Sequence, residues 1–264
     1  MDRNPVVAGQ FYPENKEKLF QEVASFLQGE PRKTPTILSM VPHAGYIYSG
    51  KICGKTLASS QLKPTILLLG PNHTGKGAKL ALWPEGKWFI PGGYLEVNSE
   101  LAIQLNEISQ IKFDYEAHLF EHSLEVILPF LFYLNPQTTI IPICVSEYNF
   151  EILQQTADQL ANILDPQKTT IIVSSDMSHY VPHDIAYTKD HKALKHILNL
   201  DVLGLIESVQ KHNISMCGIL PMTLGLLIAK KWNACKGILI DYATSGEVSG
   251  DFNQVVGYAG VIVE

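Results

Sequence analysis

The sequence is poor in charge, poor in cysteine and free of long apolar runs, and each shortage removes a class of function. Charged residues make up only 17% of the 264, with 20 Lys plus Arg against 26 Asp plus Glu and a formal net charge of −6. With no basic cluster, neither nucleic acid nor an anionic membrane is expected as a main partner. No apolar run is long enough to span a bilayer, and the N-terminal Met-Asp-Arg-Asn-Pro lacks the apolar core of a signal peptide. The four cysteines, Cys53, Cys144, Cys217 and Cys235, are scattered without paired spacing. The expectation is reduced thiols in a cytoplasm, not a disulfide framework. No repeat, low-complexity tract or linker breaks the chain.

Hydrophobic residues reach 46%, enough at this length to bury a sizeable core as one domain over residues 1–264. The most telling stretch is 169–179. Thr169–Val173 is a short, uncharged, β-favouring run that leads through two serines to Asp176 and His179. Such a run reads as a fully buried strand of a parallel sheet, and in open α/β sheets ligands bind at the carboxyl ends of the strands. The arrangement recurs where Ile37–Val41 leads to His43 and where Thr65–Leu69 leads to His73. Three strands each ending in a histidine loop would bring three imidazoles to one crevice.

The remaining pattern alternates helices with strands. Helices are predicted over 16–27, 50–59, 100–107, 123–134, 150–164, 184–200, 201–211 and 220–232. Further strands are predicted over 138–145, 238–242 and 255–263, with a glycine- and serine-rich loop at 245–250. Segments 80–83 and 88–97, the latter containing Pro91-Gly92-Gly93, read as a hairpin or flap outside the core. The fold class is therefore α/β, with a mostly parallel central sheet.

Single histidines after strands are usually structural, but three in one chain are a plausible metal crevice, imidazole being the commonest neutral metal ligand. Cys217 precedes Gly218 and an apolar helix with Pro221 in its first turn, where helix amides are expected to favour the thiolate. Its bland alternative is a small buried hydrophobe. Asp176 reads as an orienter of a metal-bound imidazole, with ligand or loop cap as alternatives. Glu121-His122 reads as an acid–base pair or as a solvated helix start. Cys53, Cys144 and Cys235 read as core. His118 and His183 lack such a context, and His191, His196 and His212 fall on polar helical segments as surface residues.

Five ordered motifs carry a resemblance: Val41-Pro42-His43-Ala44-Gly45-Tyr46, Gly70-Pro71-Asn72-His73, Glu121-His122-Ser123-Leu124-Glu125, Ser174-Ser175-Asp176-Met177-Ser178-His179 and Met216-Cys217-Gly218. Together they resemble the Memo family, called protein B of the AmmeMemoRadiSam system in prokaryotes. The likeness runs from Arg3-Asn4-Pro5 to Val256-Gly257-Tyr258-Ala259. It implies a single-domain α/β sandwich similar to class III extradiol dioxygenases, which are non-haem iron enzymes. It implies metal ligands His43, His73, His179 and Cys217, with Asp176 beside them. His179 would be either a ligand or the acid–base, and His122 with Glu121 would move protons. Cys217 stands near the place of the dioxygenase glutamate, and a thiolate there shifts metal preference toward Cu(I), Zn or a softer iron site. The resemblance points to a redox protein using iron, with copper or zinc as alternatives. It also implies AMMECR-type and radical-enzyme protein partners and a small-molecule or peptide substrate. The other readings are a peptide- or phosphopeptide-binding adaptor and a zinc hydrolase.

Overall fold

Four uncharged runs supply the centre of the sheet. The computed structural model describes residues 1–28 and 33–264. The strands of its large sheet, in chain order, are β1 (Leu38–Val41), β2 (Thr65–Pro71), β3 (Leu80–Leu82), β4 (Lys87–Ile90), β5 (Gly93–Val97), β6 (Lys112–Phe113), β7 (Thr139–Val145), β8 (Thr169–Ser174), β9 (His179–Val181), β10 (Gly237–Thr244) and β11 (Val255–Val263). Their spatial order is β9-β11-β1-β8-β2-β7-β3-β6, with β10 along β11 and the β4–β5 hairpin joined through β5 to β7. At the centre, β1, β8, β2 and β7 run parallel. Antiparallel pairs flank this centre, β11 against β1 and β3 against β7, while β6 pairs with β3 and β5 with β7 in parallel.

Because side chains alternate across a strand, each buried strand feeds two cores. Leu67, Leu69, Ile171 and Val173 enter one, while Ile66, Leu68 and Ile172 enter the other. The first core is covered by α3 (Ser99–Leu105), α5 (Phe150–Ile163), α6 (His183–Leu198), α7 (Val202–Lys211) and α8 (Ile219–Lys231). The second lies under α1 (Lys16–Phe26), α2 (Tyr46–Ser59) and α4 (Leu128–Leu134). The result is the expected α/β sandwich. Among the described residues, no helix is long and apolar enough to cross a membrane.

Four local expectations need correction. Leu80–Leu82 is no flap; it is buried and pairs antiparallel with the second half of β7, an edge that β5 leaves open. Only 87–97 forms the expected hairpin, turning at Gly92 with φ 92. The helix expected from Gly50 starts at Tyr46, because the Tyr46 amide donates to the Phe11 carbonyl at 2.8 Å and brings the helix start close behind His43. The helix expected from Ser123 opens as a 3-10 turn, Glu125–Ile127, before α4. Pro129 has no N–H to return to the preceding turn, so a regular α-helix cannot run through it from Ser123. Finally, 245–250 holds a helical turn, Gly246–Ser249, closed by Gly250 at φ 75.

Candidate metal centre

The carboxyl ends of β1, β2 and β8 open into one crevice, as the sheet topology requires. His43 follows β1, His73 follows β2 and Asp176 follows β8. Cys217 arrives from the other side, on the turn before α8. A Cβ at Gly218 would lie 2.3 Å from the Ser175 Cβ and 2.8 Å from the Ser174 carbonyl oxygen. Only glycine lets that turn rest on the end of β8, and its amide donates to Ser175 Oγ at 3.1 Å. Cys217 Sγ then stands 3.4 Å from His43 Nε2. The His43 and His73 rings meet edge-on at 5.2 Å, and His122 stacks on His73 at 4.7 Å. Ligand atoms of His43, His73 and Cys217 lie within 4.8 Å of one another, as do those of His73, Glu121 and His122.

The hydrogen-bond network assigns the imidazole tautomers. Ser174 Oγ donates its only proton to the Ser123 carbonyl at 2.7 Å, so it must accept from His43 Nδ1, also at 2.7 Å. His73 Nδ1 donates to Glu121 Oε1 at 2.9 Å. His179 Nδ1 donates to the Ser215 carbonyl at 2.9 Å, and its amide donates to Ser215 Oγ at 2.7 Å. Each of the three rings is therefore tied back through Nδ1 and leaves Nε2 unprotonated, that of His43 facing the Cys217 sulfur. This is the arrangement that orients metal-bound histidines. His179 lies outside the three-residue group of His43, His73 and Cys217.

Charge follows from burial and partners. Burial, followed by the neighbouring His73 and His122, holds the His43 imidazole well below its ordinary range, so it is neutral at pH 7. Burial likewise lowers His122. For Glu121 burial disfavours the charge, but the His73 imidazole and the Ser123 amide outweigh it and hold the carboxyl at about 2. The carboxylate also accepts from the His73 amide at 2.6 Å. Glu121 is thus a fixed anion that orients His73, neither a solvated helix-start charge nor a proton donor at neutral pH.

Two first-ranked sequence expectations give way here on physical grounds. Of the three readings of Asp176 the loop cap is the one found: its Oδ1 accepts from the His43 backbone amide at 2.9 Å, not from an imidazole, and burial raises its carboxyl to about 6. The Cys217 thiol is not depressed by the helix start; burial, and then the nearby Asp176 charge, push it up. The Asp176 amide does donate to Sγ at 3.2 Å, but one amide does not offset that burial.

Support for the crevice comes from residues to which no chemistry was assigned from sequence. Arg3 is buried, with Nη1 donating to Glu125 Oε2 at 2.7 Å, Nε to the His118 carbonyl at 2.9 Å and Nη2 to the Glu121 carbonyl at 2.7 Å. Glu125 also accepts from the Val6 and Val7 amides and from the Tyr12 hydroxyl. On the other flank, Asp190 Oδ1 accepts from the Ser178 amide and Oδ2 from the Tyr242 hydroxyl, securing the turn between Asp176 and His179. Glu125 lies inside one of the resembling motifs and Arg3 at the start of the resembling stretch; what sequence could not reveal is that they pair. Cys53 and Cys144 are buried as expected, whereas Cys235 is exposed beyond the end of α8. His191, His196 and His212 are partly exposed on or beside helices, while His118 is fully buried.

The Memo-like protein family model matches residues 3–262. Similar chains include a MEMO1 family protein of Sulfurisphaera tokodaii, 40% identical over 99% of each chain. One from Aquifex aeolicus is 40% identical over 98% of each. One from Methanosarcina barkeri is 41% identical over 99% of this chain and 100% of its own. The crystal structure of an uncharacterized protein from Escherichia coli K12 superposes with a TM-score of 0.57, covering 85% of this chain and 98% of that one. At 11% identity that likeness is one of fold alone. Agreement along almost the full length, from the Arg3 anchor to the last strand, establishes that this chain belongs to the Memo-like family.

Proposed function

We propose that the chain holds one transition-metal ion through His43, His73 and Cys217, with His179 at the margin, and acts as a metal-dependent redox protein. The observation that carries this reading is the meeting of one ring nitrogen from each of His43 and His73 with the Cys217 sulfur, all within 4.8 Å. Two borderline nitrogens and one soft sulfur suit iron, copper or zinc better than a hard cation. When bound, iron or copper would supply electron transfer and a Lewis-acidic position for a small molecule or peptide. The chain supplies the rest. Glu121, Ser174 and Ser215 hold their imidazoles by Nδ1, and Asp176 fixes the His43 loop. His122, neutral and stacked on His73, and His179, with a free Nε2, are the groups placed to accept a proton from substrate. Family membership supports a role beside AMMECR-type and radical-enzyme partners, which co-purification from the source cell would test.

Elemental analysis after anaerobic reconstitution with Fe(II), Cu(I) or Zn(II) is the direct test. About one ion per chain is expected, and the Fe(II) form should respond spectroscopically to nitric oxide through an open position. Substoichiometric metal in all three preparations would sink the metal reading. Stable binding of zinc alone would replace redox chemistry with hydrolysis.

A further inference from the structure

Among the described residues, four other than glycine have a positive φ: Tyr180 at 55, Leu200 at 54, Asn213 at 48 and Asn233 at 61. Three of them close helices. Leu200, Asn213 and Asn233 stand just beyond α6, α7 and α8, and in each case the next amide donates to the carbonyl five residues back, at 2.9, 3.0 and 3.0 Å. That is the left-handed ending which satisfies helix carbonyls. Tyr180 has no helix to close. It is the extra residue of a β-bulge, since His179 faces Val256 and Val181 faces Val255. For a bulky side chain this backbone is a real outlier. Packing does not explain it, because Tyr180 is 74% exposed and its ring lies 6.0 Å from that of His179.

Strain persists where the surroundings over-determine it, and bulges beside active sites re-aim a side chain. Here both flanks are held. Before the bulge the Gly257 amide donates to the Ser178 carbonyl at 2.8 Å, and beyond it the His183 amide donates to the Phe252 carbonyl at 3.0 Å. Between these fixed points the His179 amide turns to Ser215 Oγ at 2.7 Å, and Nδ1 donates to the Ser215 carbonyl at 2.9 Å. We propose that Tyr180 is a positioning residue, whose left-handed backbone sets the His179 ring against Ser215 at the margin of the crevice. An extended residue at 180 would restore the strict alternation of strand side chains. With both flanks tied down, the stretch that must give is the one carrying His179. The inference rests on the reading of His179 as a group of the proposed metal site, and adds what holds it there.

The histidine Cε1–Hε1 resonances of isotopically labelled, metal-free full-length protein read the ring directly, and the resonance lost in His179→Gln identifies it. Tyr180→Gly and Tyr180→Asn introduce residues that accept a left-handed backbone. Both should leave the His179 resonance and its nuclear Overhauser contacts to Ser215 in place. Tyr180→Val, whose β-branched side chain does not accept that backbone, should shift the resonance and abolish those contacts, while the buried His118 resonance stays where it was. Thermal melts confirm that each variant is folded, and the milder Tyr180→Thr replaces Tyr180→Val if the latter is not. An unmoved His179 resonance in the folded β-branched variant would overturn the proposal. So would an equal shift in Tyr180→Gly, which would mean that the phenol ring holds the imidazole. Because the measurement uses no metal, a failure of metal binding would sink the redox reading and leave this result standing.

Discussion

A thiol and two imidazoles from separate segments owe their chemistry to the atoms behind them. Cys217 is pushed up by burial, so a metal bound there as proposed would expel a proton, and the anion left would be a strong donor. Cys217→Ala should therefore lower metal affinity by well over the roughly 10–100-fold typical of orienting residues, while Cys53→Ala and Cys235→Ala leave it unchanged. Competition titration of folded variants decides this, and unchanged affinity in Cys217→Ala would leave the site to its histidines. His118 offers a second test. Its Nε2 donates to the Ala81 carbonyl at 2.9 Å, and burial lowers its pKa to about 4. The unfolded chain therefore takes up that proton first, near pH 6.5, and stability falls as pH drops from there to about 4. The share is about 3 kcal/mol. His118→Gln keeps a donor for Ala81 and should flatten that part of the stability profile in denaturant titrations. The shares of His43 and His122, and of Glu121 between pH 4.5 and about 2, would remain.

Among the elements, the N-terminal arm acts as a wedge beneath the 118–125 segment. Arg3 bonds the carbonyls on either side of the turn that presents Glu121, and it neutralises Glu125 where neither side chain meets solvent. Arg3→Met would strand that carboxylate, which costs about 3–5 kcal/mol for a buried pair. Denaturant melts should show the loss. Metal titration on the folded fraction should show weaker binding, because the Glu121 that orients His73 loses its backbone anchor. A variant as stable as the parent would mean that Glu125 is satisfied by Val6, Val7 and Tyr12 without the guanidinium.

For the molecule as a whole, the crevice joins segments that meet only when the sheet is complete, with His43 and Cys217 separated by 174 residues. An ion held by both binds the folded chain and not the unfolded one, and so stabilises by mass action. At a free concentration a hundredfold above Kd this amounts to about 2.7 kcal/mol, or roughly 5–10 °C in Tm for a chain of this size. Melts with reconstituted and chelator-treated protein should differ by that much. Equal melting points would show that the ion is not held by the assembled crevice.

Sequence by itself determined the parallel centre of the sheet, because unbroken apolar runs have nowhere to go but the interior. It also determined that His43, His73 and Asp176 sit at the strands' carboxyl ends, since loop position follows from strand position. Matters decided by distant partners were not legible. Glu121 becomes the orienter of His73 across 48 residues, and Arg3 meets Glu125 across 122. Leu80–Leu82 looked like a flap until the open half of β7 gave it an edge to pair with. Cys235 resembled core but ends up exposed after α8 has closed, and the burial of His118, for which its sequence context gave no reading, comes from the tertiary packing. The Cys217 thiol shows why. A helix start is a local feature that can be read along the chain, whereas the burial that overrides it exists only once β8, α8 and the His43 loop have packed around the sulfur.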